Sequence, residues 1–387
     1  MRIAYICADG GIPVFGCKGA SVHVQEVLRA LLQQGAEITL FARRFGAPPP
    51  PDLKSITLVA LSALPAGGAQ AREEAALKSN DRLAEALKNA GPFDLVYERY
   101  SLWSFAGLAC ARQQGWPALL EVNAPLIEEQ RQYRELVAEQ RAKAVLQSLL
   151  ASASAVIAVS PGVKDYLAAF SGSTERVHVI ANGVDPQRFA CCSSQNRDRP
   201  HSQKVVIGFL GTLKPWHGLE TLMKAFQLLR KERPQTWLLI VGDGPQRKTL
   251  SEGFPSGNVV FTGGVEPSAV PGWLGEMDIA VAPYPEMAGF WFSPLKIYEY
   301  MAAKLPVITT RVGHLAEVVS EGETGLLIAP DDPVELCHAL RKLTDDPGLR
   351  QRLGQAACQH VTENHSWQAV VQEILRIAQI APAGKVR

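Results

Sequence analysis

Short apolar runs alternate with helical patterns along most of the chain. Arg2–Ala8 reads as a first strand, ending in Asp9-Gly-Gly and a glycine-bearing loop that runs to Ala20. Behind the loop, Val22, Val24, Val27, Leu28, Leu31 and Leu32 recur at the spacing of one helix face. Ala36–Ala42, Ile56–Ala60, Phe93–Tyr100, Trp116–Asn123, Ala155–Ser160 and Val177–Ala181 read as further strands. Gln70–Asn89, Glu128–Ser152 and Pro161–Ala169 each predict one helix.

The polar stretch Cys191–Lys204 has no periodicity and reads as a linker. After it the rhythm restarts, with strands at Val205–Leu210, Trp237–Val241, Val259–Thr262 and Ile279–Pro283. Pro333–Thr344, Gly348–Val361 and Trp367–Ile380 read as closing helices. Two runs of strand–helix units joined by one linker imply an α/β protein of two Rossmann-like domains facing a central cleft.

Composition narrows the class. The 387 residues are 47% hydrophobic and 20% charged, with a formal net charge of +1, so no bulk field attracts nucleic acid. No apolar run is long enough to span a bilayer. The start breaks at Asp9 too early for a signal peptide. Seven scattered cysteines without a CxxC pair suggest neither a disulfide framework nor a zinc site, and the expected compartment is the reducing cytoplasm.

The candidate chemistry centres on Gly289–Ala303. Ser293 is a good N-cap and Pro294 suits a first helical position, so a helix is expected to start there. A helix N-terminus favours phosphate, Lys296 adds positive charge, and Glu299 lies one turn later on the same face. That set suits a ligand with a diphosphate and a sugar hydroxyl; the bland alternative is an ordinary capped helix with a solvated Lys and Glu. The aromatics Phe290-Trp-Phe292 read as a wall for a sugar or acceptor. In the first half, Gly16, Gly19 and Ser21 can bring backbone N–H groups close to a ligand, though the spacing matches neither GxGxxG nor GxxxxGK[ST]. His23 faces either the cleft or solvent. The polar ends of two strands, Glu98-Arg-Tyr100 and Glu121-Val-Asn123, belong to the ligand edge of a parallel sheet.

Six motifs in order resemble the family 4 retaining glycosyltransferases of GT-B fold. They are Gly10–Val24, Val159-Ser-Pro-Gly-Val163, Asn182-Gly-Val-Asp185, the Gly211–Gly218 loop, Gly242-Asp-Gly-Pro245 and Ser293–Ala303. The resemblance implies an acceptor-side domain over 1–195 and a nucleotide-sugar domain over 196–366. It also implies that a helix in 367–387 crosses back onto the first domain.

Site residues follow by position. The resemblance gives Glu299 the ribose hydroxyls, which one carboxylate can accept together. It gives Ser293, Pro294, Leu295 and Lys296 the diphosphate, with Gly16 and Gly19 beneath it, and lines the nucleoside pocket with Gly242, Asp243 and Gly244. Gly211, Thr212 and Lys214 lie in the loop where relatives neutralise the diphosphate. Thr212 and His217 stand where relatives carry arginine and lysine, so Lys296 is the favoured replacement. Trp291 stands where an acid usually holds the donor sugar, leaving Glu286 to reach it. His23, Glu121, Asn123 and Trp291 fall on the acceptor or sugar side, Glu121-Val-Asn123 standing where relatives often have a histidine. No cofactor or metal is expected, since the chain has no DxD and a lysine with a helix N-terminus supplies the charge. The expected partners are a nucleotide-diphosphate-sugar and a glycan or lipid-linked sugar acceptor, with peripheral membrane contact if the acceptor is a lipid. The competing functions are a nucleotide-sugar-binding protein without transfer and a nucleotide-sugar epimerase of the same fold.

Overall fold

The computed structural model describes residues 1–171, 174–192, 204–253, 257–287 and 289–379. The chain forms two compact units. The first holds Met1–Asn182, Trp291–Ser293 and the C-terminal stretch from Trp367; the second holds Gly183–Phe290 and Pro294–Ser366. The linker expected over Cys191–Lys204, and the boundary drawn at 195/196, lie mostly outside the described residues.

The first unit runs β1 (Arg2–Cys7), α1 (Gly19–Gln33), β2 (Glu37–Ala42), β3 (Thr57–Ala60), α2 (Ala69–Lys78), α3 (Asn80–Ala90), β4 (Leu95–Arg99), α4 (Ala106–Gln114) and β5 (Ala118–Val122). It continues through α5 (Leu126–Tyr133), α6 (Glu139–Ser152), β6 (Ala155–Ala158), α7 (Pro161–Ser171) and β7 (Val177–Val179). The strands are parallel, in the order β3-β2-β1-β4-β5-β6-β7. Strands β4, β5 and β6 are buried throughout, as a parallel sheet covered on both faces requires.

The second unit repeats the plan with β8 (Val206–Leu210), α8 (Leu219–Glu232), β9 (Trp237–Val241), α9 (Arg247–Gly253), β10 (Val259–Phe261), α10 (Val270–Gly275), β11 (Ile279–Ala282) and α11 (Leu295–Ala302). Then come β12 (Val307–Thr310), α12 (Leu315–Val318), β13 (Gly325–Ile328), α13 (Pro333–Asp345) and α14 (Pro347–Asn364). Its parallel strand order is β10-β9-β8-β11-β12-β13. The last helix, α15 (Trp367–Ile377), packs on α1 within the first unit, its Trp367 ring edge-on to His23 at 5.1 Å.

Three helix expectations need correction. The single helix expected over Gln70–Asn89 is two, α2 and α3. At their junction Asn80 turns its amide to the carbonyls of Leu77 and Trp103, while its Oδ1 accepts the N–H groups of Phe105 and Ala106 ahead of α4. The helix expected over Glu128–Ser152 is likewise two, α5 and α6. Buried Glu73, from α2, accepts the N–H groups of Val137 and Ala138 at 3.1 and 2.8 Å and so starts a new helix at Glu139. Finally, Ser293 is not the N-cap of α11. Pro294 holds that position without a side-chain cap. The Ser293 hydroxyl instead accepts the N–H of Asn182 at 2.9 Å, and the Asn182 amide donates to the Ser293 carbonyl at 2.6 Å.

Candidate functional site

In the second unit, β8, β9 and β11 lie side by side, and the loops leaving their C-terminal ends carry most of the residues expected to hold a donor. Gly211 follows β8 at φ +143° and Gly242 follows β9 at φ +134°, conformations that L side chains rarely adopt. A β-carbon on Gly242 would collide with the Gly211 carbonyl, and one on Gly244 with the backbone of Leu213. The N–H of Leu213 donates to the Asp243 carbonyl at 3.0 Å. The two glycine loops are therefore interlocked through their backbones, which fixes Gly211, Thr212 and Lys214 against Gly242, Asp243 and Gly244. Asp243 is exposed, its Oδ1 accepting the Gly244 N–H at 2.8 Å. The Lys214 amine lies over the Trp216 ring, 5.3 Å from its centre.

Helix α11 begins in the same unit with Pro294 and Leu295. Lys296, in its first turn, is 9% exposed, and its Nζ has no hydrogen-bond partner among the described residues. The amine lies 4.3 Å from the centre of the Phe209 ring and 5.4 Å from that of Tyr284. Burial pulls its pKa down to about 7, with only the charge of Glu299 acting the other way. A β-carbon on Gly211 would stand 2.8 Å from this Nζ, so a side chain there would crowd the amine. Glu299 is half-buried one turn further along α11.

His217 completes this corner. Its Nδ1 lies 2.5 Å from the Thr212 carbonyl, an acceptor, so Nδ1 carries the proton. Burial, then the charges of Lys296 and Lys214, press its pKa down to about 3. The neutral ring thus presents Nε2 as an acceptor and adds no positive charge. Glu286 is exposed on the loop after β11, which is tied elsewhere: the Glu286 N–H donates to Asp331 at 2.9 Å.

The first unit holds the rest. Gly16 sits in a loop tied down by Gln25, whose amide donates to the carbonyls of Val14 at 2.9 Å and Gly16 at 3.0 Å. Gly19, the first residue of α1, meets open space where a β-carbon would stand. His23 is not on the surface. It is buried with Nε2 2.7 Å from Glu121 Oε1, and Arg99 reaches within 3.7 Å of the other carboxylate oxygen. Burial raises the Glu121 pKa, but His23 and then Arg99 outweigh it and leave the carboxyl below its ordinary range. Asn123, just beyond β5, is half-buried, and its Oδ1 has no hydrogen-bond partner among the described residues.

Trp291 and Ser293 also belong to the first unit, although Lys296 lies only a few residues along. The Ser160 hydroxyl donates to the Trp291 carbonyl at 2.7 Å, and the indole packs against the first unit's core. Phe290, expected with its neighbours to wall a sugar, is instead buried in the second unit against Tyr284, ring centres 5.3 Å apart. The sequence singled out neither Phe209 nor Tyr284 as partners of Lys296, because nothing in a buried strand residue or a loop tyrosine marks it as the floor beneath an amine. Among the described residues no cluster of His, Cys, Asp and Glu could hold a metal, and no helix is long and apolar enough to cross a membrane.

Two parallel α/β sheets with glycine loops at their strand ends match known GT-B enzymes over nearly the whole chain. Sucrose-phosphate synthase from Thermosynechococcus elongatus superposes with a TM-score of 0.74 at 22% identity, covering 98% of each chain. Anabaena HepE in complex with UDP-glucose gives a TM-score of 0.72 at 18% identity over 98% of this chain and 99% of its own. The fold is that of a GT-B glycosyltransferase. Residues 18–188 match the model described as Glycosyltransferase Family 4, and residues 204–346 that described as Glycosyl transferases group 1. Among related sequences, the MMP alpha-(1->4)-mannosyltransferase of Mycolicibacterium hassiacum is 25% identical over 95% of this chain and 96% of its own. The glycogen synthase of Mycobacterium tuberculosis is 26% identical over 76% of this chain and 70% of its own. The chain belongs to the family 4 glycosyltransferases.

Proposed function

We propose that the protein transfers a sugar from a nucleotide-diphosphate-sugar to a hydroxyl of a glycan, lipid-linked sugar or small-molecule acceptor, with retention at the anomeric carbon. The observation that carries this reading is Lys296: a buried amine without an acceptor among the described residues, at the uncapped N-terminus of α11, beside the Gly211 loop. A diphosphate would supply the acceptor that this amine lacks and lie against the positive end of the helix dipole. Glu299 would take the ribose hydroxyls, and the loops of Gly211, Thr212, Lys214, Gly242, Asp243 and Gly244 would hold the nucleoside. Ser293, beside the start of α11, keeps its expected part only through the backbone turn that its bond to Asn182 fixes.

The chemistry asked of these residues is electrostatic. As the anomeric C–O bond to the β-phosphate breaks, negative charge grows on the leaving diphosphate, and Lys296 with the α11 N-terminus stabilises it. The acceptor oxygen attacks the face from which the diphosphate departs and gives its proton to a diphosphate oxygen. Glu286, exposed on its loop, is the carboxylate assigned to the donor sugar in place of an acid at Trp291. Asn123 is the acceptor-side polar group, and the buried His23–Glu121 pair positions the strand end that carries it. Thermal unfolding with UDP-, GDP-, ADP- and TDP-sugars tests the reading, because a donor that binds the native state raises the midpoint. A chain that none of the four stabilises would contradict it.

A further inference from the structure

We propose that above neutral pH the Lys296 amine is uncharged in the ligand-free protein and takes a proton from solvent when a nucleotide-diphosphate-sugar binds, so that donor capture and charging of the site are a single event. This rests on the donor reading above and adds the protonation state of its central group.

The geometry argues it. An ammonium has three donors, and a buried one must find acceptors or lose the stabilisation that water gives it. Among the described residues Lys296 Nζ finds none; its neighbours are the faces of Phe209 and Tyr284. Aromatic faces attract a cation, but they take no hydrogen bond of amide strength. The ionisable groups around it do not supply the missing charge. On its own helix Glu299 is the one carboxylate, and Tyr300 is held in its neutral form by burial, its hydroxyl accepting the Leu210 N–H at 2.7 Å. From the loop after β11, Tyr284 is likewise kept neutral by burial. From the loop after β8, His217 is neutral and adds no charge. The amine consequently titrates near 7 rather than above 10.

A diphosphate reverses this balance. Its oxygens accept the N–H bonds of the ammonium, and its charge raises the affinity of Nζ for a proton. One solvent proton forms the third N–H bond on binding and returns to solvent when the nucleotide leaves. The sign follows from the two states: the bound form holds more protons, so binding weakens as pH rises. With a free pKa of about 7, donor affinity should fall about tenfold per pH unit above neutrality and be flat below it.

Neither phosphate of a nucleotide-sugar titrates near neutrality, so proton uptake reports the protein. Calorimetric titration of UDP-glucose, GDP-mannose, ADP-glucose and TDP-glucose, in buffers of different ionisation enthalpy, measures it directly. For a donor that binds, uptake should rise from about 0.1 proton per molecule at pH 6 to about 0.9 at pH 8. Lys296→Arg, with a permanently charged guanidinium, should bind without uptake, whereas His217→Asn should keep it. Binding with the same enthalpy in every buffer at pH 8 would overturn this inference and leave the donor reading intact. Binding of none of the four would overturn the donor reading itself.

Discussion

His23 and Glu121 meet at 2.7 Å with both side chains buried, joining α1 to the strand end of β5 that leads to Asn123. Arg99 stands 3.7 Å from the carboxylate's other oxygen, and the Trp367 ring closes over the imidazole. Removing one member strands a buried charge. Glu121→Ala should therefore lower unfolding stability in urea by about 3–5 kcal/mol. Replacing both His23 and Glu121 by leucine should cost less than the two single substitutions added together, because they share one interaction. An additive double substitution would show that the pair is not coupled.

The imidazole of His314 sits buried with neither nitrogen hydrogen-bonded among the described residues. Burial, with a smaller push from His365, lowers its pKa to about 4. The unfolded chain, with an ordinary histidine near 6.5, binds more protons between these values, so stability should fall as pH drops from about 6.5 towards 4. For His314 alone the loss amounts to about 3 kcal/mol at the acid end. His314→Phe should flatten that limb of the pH–stability curve and leave stability at pH 8 unchanged or raised, since no buried polar atom is left unpaired. An unchanged acid limb in the variant would contradict this.

Gly242 is held at φ +134° with the Gly211 carbonyl where a side chain would begin. Gly242→Ala should cost on the order of 2–4 kcal/mol and push the loop after β8 out of place. Nucleotide affinity should fall with it, measured at a temperature where the variant remains folded. A variant that binds nucleotide as tightly as the parent would remove the interlocked loops from the site.

Much of this was legible in the sequence because it rests on local rules. The apolar runs and the glycines after them located β1, β4, β5, β8, β9 and β11, since a buried parallel strand and a left-handed turn each restrict the residues that fit. What escaped depended on distant partners. Glu73 starts α6 from far earlier in the chain, and nothing near Val137 announces it. Ser293 looks like a helix cap until Asn182, remote in sequence, takes its hydroxyl. Lys296 read as a first-turn lysine near Glu299. Only Phe209 from β8 and Tyr284 from the loop after β11 reveal that its amine is buried against rings, without an acceptor among the described residues.

The central claim is that this amine serves the leaving diphosphate. Release of nucleoside diphosphate from UDP-, GDP-, ADP- and TDP-sugars, supplied with a mixed pool of sugar and glycolipid acceptors, measures it most directly. One donor should be consumed in an acceptor-dependent way, and Lys296→Met should lower kcat by about 10²–10³-fold while the variant keeps its unfolding midpoint. Full activity in Lys296→Met, or donor turnover that needs no acceptor, would contradict the account.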